Sequence, residues 1–269
     1  MLNVSVIQMK VDQGDVEANL SKGEEMIREA ARRGSTLACL PEYWTTGVHL
    51  INNQSLCQTQ DKTLDRLCQI AKENKIWTSG SMLLASAEGK ASNAHVLINS
   101  NGEVVARYDK SHLFSLMGEE KYVQQGNKLQ TATIDDQKIA LSVCYDIRFP
   151  ELFRSYALAG ATMILSPMAF PYPRLDHWRH LVRARAIENQ LFMVAANQIG
   201  VENFDFIGFG DVQFLGHSCI IDPWGKTIVE AGDNSEIILT AEINLQESIE
   251  IRNKMTVLKD RRTDIYDLD

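Results

Sequence analysis

The 269-residue sequence predicts an α/β fold arranged as a four-layer αββα sandwich. Three observations carry this expectation. Strand-like and helix-like patterns alternate both before and after residue 110, two hairpin-like segments resemble each other, and no Pro/Gly/Ser-rich linker divides the halves. INSNGEVV at 98–105 and IIDPWGKTIV at 220–229 both place apolar runs around an Asn/Asp-x-x-Gly turn. Two such halves bury most apolar surface when their sheets pack face to face with the helices outside. The expected organisation is one domain over 1–269. Residues 245–269 have mixed charge and no sheet pattern, and read as a tail on the surface or on a neighbouring subunit.

In chain order, residues 2–9 alternate like a strand, and 15–33 read as a helix that Asp15 can cap and Gly34 ends. Ala18, Leu20, Met26, Ile27 and Ala30 supply much of its apolar stripe. A strand at 36–40 ends in Pro41-Glu42, a helix follows at 61–74, and a strand at 76–84. The first hairpin spans 94–109, turning at Asn101-Gly102. Ile139, Leu141 and Val143 mark an internal strand, after which Pro150 and Glu151 open a helix. A strand at 162–165, a helix at 176–190 and a strand at 192–196 come next. The second hairpin spans 217–232 and a last strand 236–243.

The net charge of −8 speaks against a nucleic-acid partner, and no window has the apolar run of a membrane helix. The N-terminus lacks a signal-peptide pattern, so the expected location is the cytoplasm. Cys39, Cys57, Cys68, Cys144 and Cys219 form no C-x-x-C pair, and five is an odd number for a disulfide framework. His177 and His180 stand three apart without a Cys/His cluster, so a metal site is not expected.

Chemistry points to three strand ends. Glu42 follows TLACLP, Lys110 follows EVVARYD, and Cys144 follows KIALSV on a strand-to-helix turn with the logic of a nucleophile elbow. Taken singly, the cysteine also reads as a core residue, and the two charges as solvated surface groups. On one rim of a sandwich they converge. There the ammonium is expected to lower the thiol pKa from ~8.5, and the carboxylate to move the proton.

These segments resemble the nitrilase superfamily, carbon–nitrogen hydrolases with a Glu-Lys-Cys triad. The resemblance rests on LPEYWTTG at 40–47, DKSHLFSLMGEEKYVQQG at 109–126, SVCYDIRFPEL at 142–152, ARAIENQLFMVAANQIG at 184–200 and GHSCIIDPWG at 216–225. It implies the same αββα sandwich, and a homodimer or higher homo-oligomer pairing through helices beside the nucleophile. It also implies Cys144 as nucleophile, Glu42 as general base and then acid, and Lys110 with the Tyr145 backbone N–H as oxyanion donors. Glu119, rather than adjacent Glu120, matches a second glutamate that positions substrate and triad.

CYDIRFPEL and FPYPRLDHWRHLVRARAIENQ are similar to the Nit-like and ω-amidase branch, whose small substrates, such as 2-oxoglutaramate, bear a carboxylate. The alternatives are an N-carbamoyl-compound or other short aliphatic amide hydrolase, a nitrilase, or a non-catalytic binding protein. Arg148 reads either as the cation for that carboxylate or as a salt-bridge partner of Glu151, with Arg174 a further candidate. Trp44, Phe114, Met168 and Phe170 are the expected pocket walls.

Overall fold

A computed structural model describes residues 1–265. The first half contains β1 (Leu2–Lys10), α1 (Val16–Arg32), β2 (Leu37–Cys39), α2 (Asn53–Cys57), α3 (Gln60–Asn74), β3 (Trp77–Ala85), β4 (Ala91–Ile98) and β5 (Val104–Asp109). The second contains β6 (Thr131–Ile134), β7 (Gln137–Leu141), α4 (Pro150–Leu158), β8 (Met163–Met168), α5 (Leu175–Asn189) and β9 (Phe192–Asn203). It continues through β10 (Asp211–Leu215), β11 (Cys219–Ile221), β12 (Thr227–Glu230), β13 (Ile237–Ile243) and α6 (Gln246–Lys254).

The halves repeat one another. Strands β5-β4-β3-β2-β1 run side by side, and β13 adds antiparallel to β1. In the other half the order is β6-β7-β8-β9, with β11 and then β12 beside β9. In both, the central strands are parallel and the flanking hairpins antiparallel. The sheets join at one corner, where Met9 and Lys10 pair with Gln198 and Ile199.

Burial follows from the period of two along each strand. Val4 and Val6 face the other sheet and share a core with Leu141 and Leu165, whereas Ile7 and Met9 face outward. Outside the first sheet, Ile27 and Ala30 of α1 and Leu67 and Ile70 of α3 cover that outer face. Phe153 of α4 and Trp178 and Val182 of α5 do the same for the second sheet. The expected four layers are therefore present.

A buried histidine forms one of the polar bridges between the sheets. His95 of β4 contacts the Ser142 carbonyl through Nδ1 at 3.0 Å and the Ser79 hydroxyl through Nε2 at 2.6 Å. Burial pushes its pKa down to about 3, so the ring is neutral, and the carbonyl opposite requires the proton on Nδ1. The bridge grips the backbone two residues before Cys144.

Four elements were absent from the sequence expectation: α2, β6, β10 and α6. Strand β9 also continues past Ala196 to Asn203, passing Gly200 at φ +97°, because β10 pairs with its second half. The expected tail begins as α6 on the chain's own body. Ser248 bonds the Thr162 carbonyl at 3.0 Å, Arg252 bonds that of Ala161 at 2.6 Å, and Ile251 is buried. Residues 266–269 of that segment lie outside the described residues. Among the described residues no helix is long and apolar enough to cross a membrane.

Gly23, inside α1, tests the helix-to-sheet packing. A Cβ there would fall within the Trp44 ring, which is fully buried. Gly→Ala inside a helix ordinarily stabilises by roughly 0.5–1 kcal/mol. Here overpacking should reverse the sign, and Gly23→Ala should lose about 1–3 kcal/mol in urea unfolding. A stabilised variant would contradict this packing.

Candidate active site

The three strand ends meet. Glu42 lies on the loop after β2, with its N–H on the Met168 carbonyl (3.2 Å) and its carbonyl taking the Gln198 amide (2.7 Å). Lys110 follows β5, its backbone N–H bonded to the Asn93 carbonyl at 3.0 Å. The Lys110 carbonyl accepts from Gly126, a position where any Cβ would collide with the Asp109 backbone. Cys144 opens a 3-10 turn, Cys144–Arg148, at φ +40°. A non-glycine residue in that region carries strain of order 1–3 kcal/mol, as a nucleophile elbow does.

Lys110 Nζ lies 2.9 Å from Glu42 Oε1 and 2.9 Å from Glu119 Oε2, and all three side chains are buried. Glu119 sits on the 3-10 turn Glu119–Lys121, after Gly118 at φ +67°. Its carboxylate also accepts from the Tyr43 hydroxyl (2.9 Å) and the Phe114 N–H (2.7 Å). Asn93 donates to Glu42 Oε1 at 2.8 Å. Tyr43 and Asn93 were missed in the sequence. The one available signal was a polar residue inside each buried run, LPEYW and ASNAHV.

One ammonium faces two carboxylates and a thiol, so the protons divide unequally. Burial raises the Glu119 pKa, but Lys110, the Phe114 N–H and the Tyr43 hydroxyl outweigh it and hold the group below the ordinary range. Glu42 goes the other way. Burial and the Glu119 charge raise it against the pull of Lys110. Lys110 is held above its ordinary value, since the two carboxylates overcome the cost of burial.

The expectation for Cys144 is reversed. Burial first, and then the Glu42 charge, push the thiol well above its ordinary value, and Lys110 offsets only part of that. Half-buried and facing the Glu42 carboxylate, Cys144 is held toward the thiol form rather than a thiolate paired with Lys110.

Above these groups opens a cleft of about 640 Å³. Cys144, Glu42, Lys110 and Glu119 form its floor, with Tyr145 beside them. Phe114 and Phe170 wall it as expected, and Phe204 and Phe214 close a further apolar side. Arg148 and Arg174 both reach it. The Arg148 guanidinium stacks 5.4 Å from the Phe170 ring centre and forms no ion pair with Glu151 among the described residues.

Trp44 and Met168 are corrections. Both are fully buried in the core and neither lines the cleft. The chain reverses at Tyr43, at φ +48°, which sends Trp44 between Gly23 and Gly80 and leaves Tyr43 at the cleft. Met168 points into the inter-sheet core and offers only its carbonyl, and Ala169 takes the expected lining place. Among the described residues no group of three His, Cys, Asp or Glu is arranged to hold a metal ion.

A thiol on a strained elbow, sharing a cleft floor with a carboxyl of raised pKa and a fixed ammonium, is the apparatus of a cysteine hydrolase. The carbon–nitrogen hydrolase family model matches residues 3–253, and the chain belongs to that family. It is an enzyme of the amidase type within the nitrilase superfamily. The 2-oxoglutaramate amidase of Bacillus subtilis is 36% identical over 98% of this chain and 98% of its own. The deaminated glutathione amidase of Dictyostelium discoideum is 34% identical over 93% of this chain and 90% of its own. Among solved structures, a variant of the amidase from Nesterenkonia sp. AN1 shows Michael addition of acrylamide at its active-site cysteine. It superposes with a TM-score of 0.85 at 25% identity, over 98% of each chain.

The ion cluster predicts a pH-dependent stability. Because the folded Glu119 pKa is depressed, its contribution is complete above the unfolded glutamate value of about 4.3 and is lost as pH falls through the folded value. Glu119→Gln should cost on the order of 3 kcal/mol near neutral pH, since it removes one partner of a buried ion pair. That gap should shrink in acid, where the wild type also loses the charge. Urea unfolding of both proteins across about pH 3–7, which brackets the unfolded glutamate value, reads it, and a gap that stays constant with pH would refute the assignment.

Proposed function

We propose that this amidase hydrolyses a small carboxylate-bearing ω-amide, with 2-oxoglutaramate as the type substrate, to the acid and ammonia. The observation that carries the reading is the pair of arginines at the cleft, Arg148 and Arg174, beside a floor built for amide chemistry. Arg148 is held on the Phe170 face with its charge unpaired by any acid among the described residues. A guanidinium in that position matches a carboxylate in shape as well as charge. The relative named 2-oxoglutaramate amidase supports the same substrate.

The reaction follows from the proton arrangement. Cys144 Sγ attacks the amide carbon while its proton passes to Glu42, whose raised pKa makes it the better acceptor of the two carboxylates. The carbonyl oxygen takes up negative charge and meets Lys110 Nζ and the Tyr145 N–H. Glu42 then protonates the amide nitrogen, the C–N bond breaks, and ammonia departs from a thioester on Cys144. A water molecule, deprotonated by Glu42, attacks the thioester carbon. Collapse releases the acid and returns the proton to sulfur. Glu119 holds Lys110 in place throughout, and no cofactor enters.

The setting we assign is a cytoplasmic homodimer. No disulfide joins the five cysteines, consistent with a reducing compartment. Ile187 of α5 is 51% exposed and lies against Gly225, next in the chain to Trp224 at 58%, and Leu158 of α4 is 48% exposed; such uncovered apolar side chains suit contact with a second copy.

Arg148→Met tests the substrate. If Arg148 binds the substrate carboxylate, kcat/KM for 2-oxoglutaramate should fall roughly ten- to a hundredfold, the range of a ~1.5–3 kcal/mol charge-assisted bond. An uncharged amide of similar length should be little affected. Ammonia release measures both, and equal losses would reject the role. Wild-type turnover of N-carbamoyl amino acids in preference to ω-amides would reject the substrate class.

A further inference from the structure

The reacting groups come from both sheets: Glu42 and Lys110 follow strands of one, Cys144 a strand of the other. Their mutual distance needs a tie that neither sheet supplies alone. We propose that Asp146 is the positioning residue that fixes the Cys144 elbow against the Lys110 segment.

Asp146 is fully buried and does not line the cleft. One oxygen, Oδ2, accepts from the Val143 N–H at 2.8 Å and from the Tyr108 hydroxyl at 2.8 Å. The other, Oδ1, accepts from the His112 N–H at 3.1 Å and lies 2.7 Å from His112 Nδ1. The Tyr108 hydroxyl in turn accepts from the Ser111 N–H at 3.1 Å. Tyr108 and His112 therefore bracket Lys110 from both sides. Val143 immediately precedes the nucleophile.

The same carboxylate closes the elbow. Asp146 donates its N–H to the Val143 carbonyl at 3.0 Å while its side chain takes the Val143 N–H. That reciprocal clasp encloses Cys144 at φ +40°, a conformation that persists only where the surroundings over-determine it. The His112 ring lies flat on Phe149, with centroids 3.7 Å apart, which braces the far end of the turn. Four contacts on two oxygens leave a buried carboxylate satisfied, and all four lead to segments bearing catalytic groups.

Asparagine cannot replace it. With the amide NH2 on the Oδ2 side it opposes the Val143 N–H, and with the NH2 on the Oδ1 side it opposes the His112 N–H. Either orientation breaks one of the two backbone ties. A displacement of about 1 Å in a reacting group can cost on the order of 10²-fold in rate. Asp146→Asn should therefore lower kcat by roughly that factor, with KM close to wild type, because substrate binding does not involve this residue. Tyr108→Phe and His112→Ala each remove one arm and should give smaller falls in kcat.

The inference rests on Cys144 as nucleophile, so Cys144→Ala is measured alongside. Ammonia release from 2-oxoglutaramate is expressed per Cys144 thiol titrated by intact mass after acrylamide addition, with the melting temperature of each variant. A kcat per titrated thiol at the wild-type value in Asp146→Asn would overturn the proposal. So would a loss confined to KM or to melting temperature. If Asp146→Asn does not fold, Tyr108→Phe carries the test, and full kcat there overturns it. Turnover surviving in Cys144→Ala would refute the nucleophile instead. Failure of the wild type to release ammonia would refute the substrate, and the rate of acrylamide addition then replaces turnover, expected slower in Asp146→Asn and overturning if equal.

Discussion

Lys110 is the charge on which the site depends. At 2.9 Å and an effective dielectric near 20, each of its two carboxylate contacts is worth about 6 kcal/mol of attraction. Burying three ions costs several kcal/mol apiece, so the cluster is near balance as a source of stability. Its consequence is positional and electrostatic. One positive charge cannot satisfy two carboxylates equally, and Glu119, with the Tyr43 and Phe114 donors as well, keeps its negative charge. Glu42 is left as the carboxyl with the higher proton affinity, next to the only group in the cluster that must give a proton away.

That imbalance joins the fold to the chemistry. The floor can be dry because it lies where two sheets close on one another, and the helices on both outer faces keep those sheets buried. A dry floor raises the thiol and Glu42 together. It also strengthens the response of Lys110 to any negative charge that develops beside it. The corner where β1 pairs with β9 brings Gln198 to the Glu42 carbonyl, so the strand pairing that links the halves also holds the proposed general base.

Much of this was legible in the sequence, for physical reasons. The period of two in β1, the capped stripe of α1 and the repeated hairpin turns are local signals, and they were sufficient for a four-layer sandwich. Glu42, Lys110 and Cys144 stood out because strand ends are where α/β folds expose chemistry. The resemblance to carbon–nitrogen hydrolases supplied Glu119, which no local pattern marks. Asn93, Tyr43 and Asp146 remained hidden because a polar side chain in an apolar run acquires a role only when the topology provides its partners. Trp44 and Met168 were misplaced because one left-handed residue, Tyr43, and one strand alternation decide which side chain meets the cleft. The thiol was misjudged because the groups that surround it, Glu42 above all, come from distant segments.

The central claim is that its surroundings, the Glu42 charge among them, keep Cys144 a thiol at rest, with Glu42 proposed to remove its proton only during attack. Thiolate absorbance in the ultraviolet, titrated for the wild type and for Cys144→Ala, reads this directly by difference. The account predicts no Cys144 thiolate at neutral pH, and its appearance only above the ordinary cysteine value of ~8.5. A thiolate already formed at or below neutral pH would contradict it, and would return the site to a preformed ion pair with Lys110.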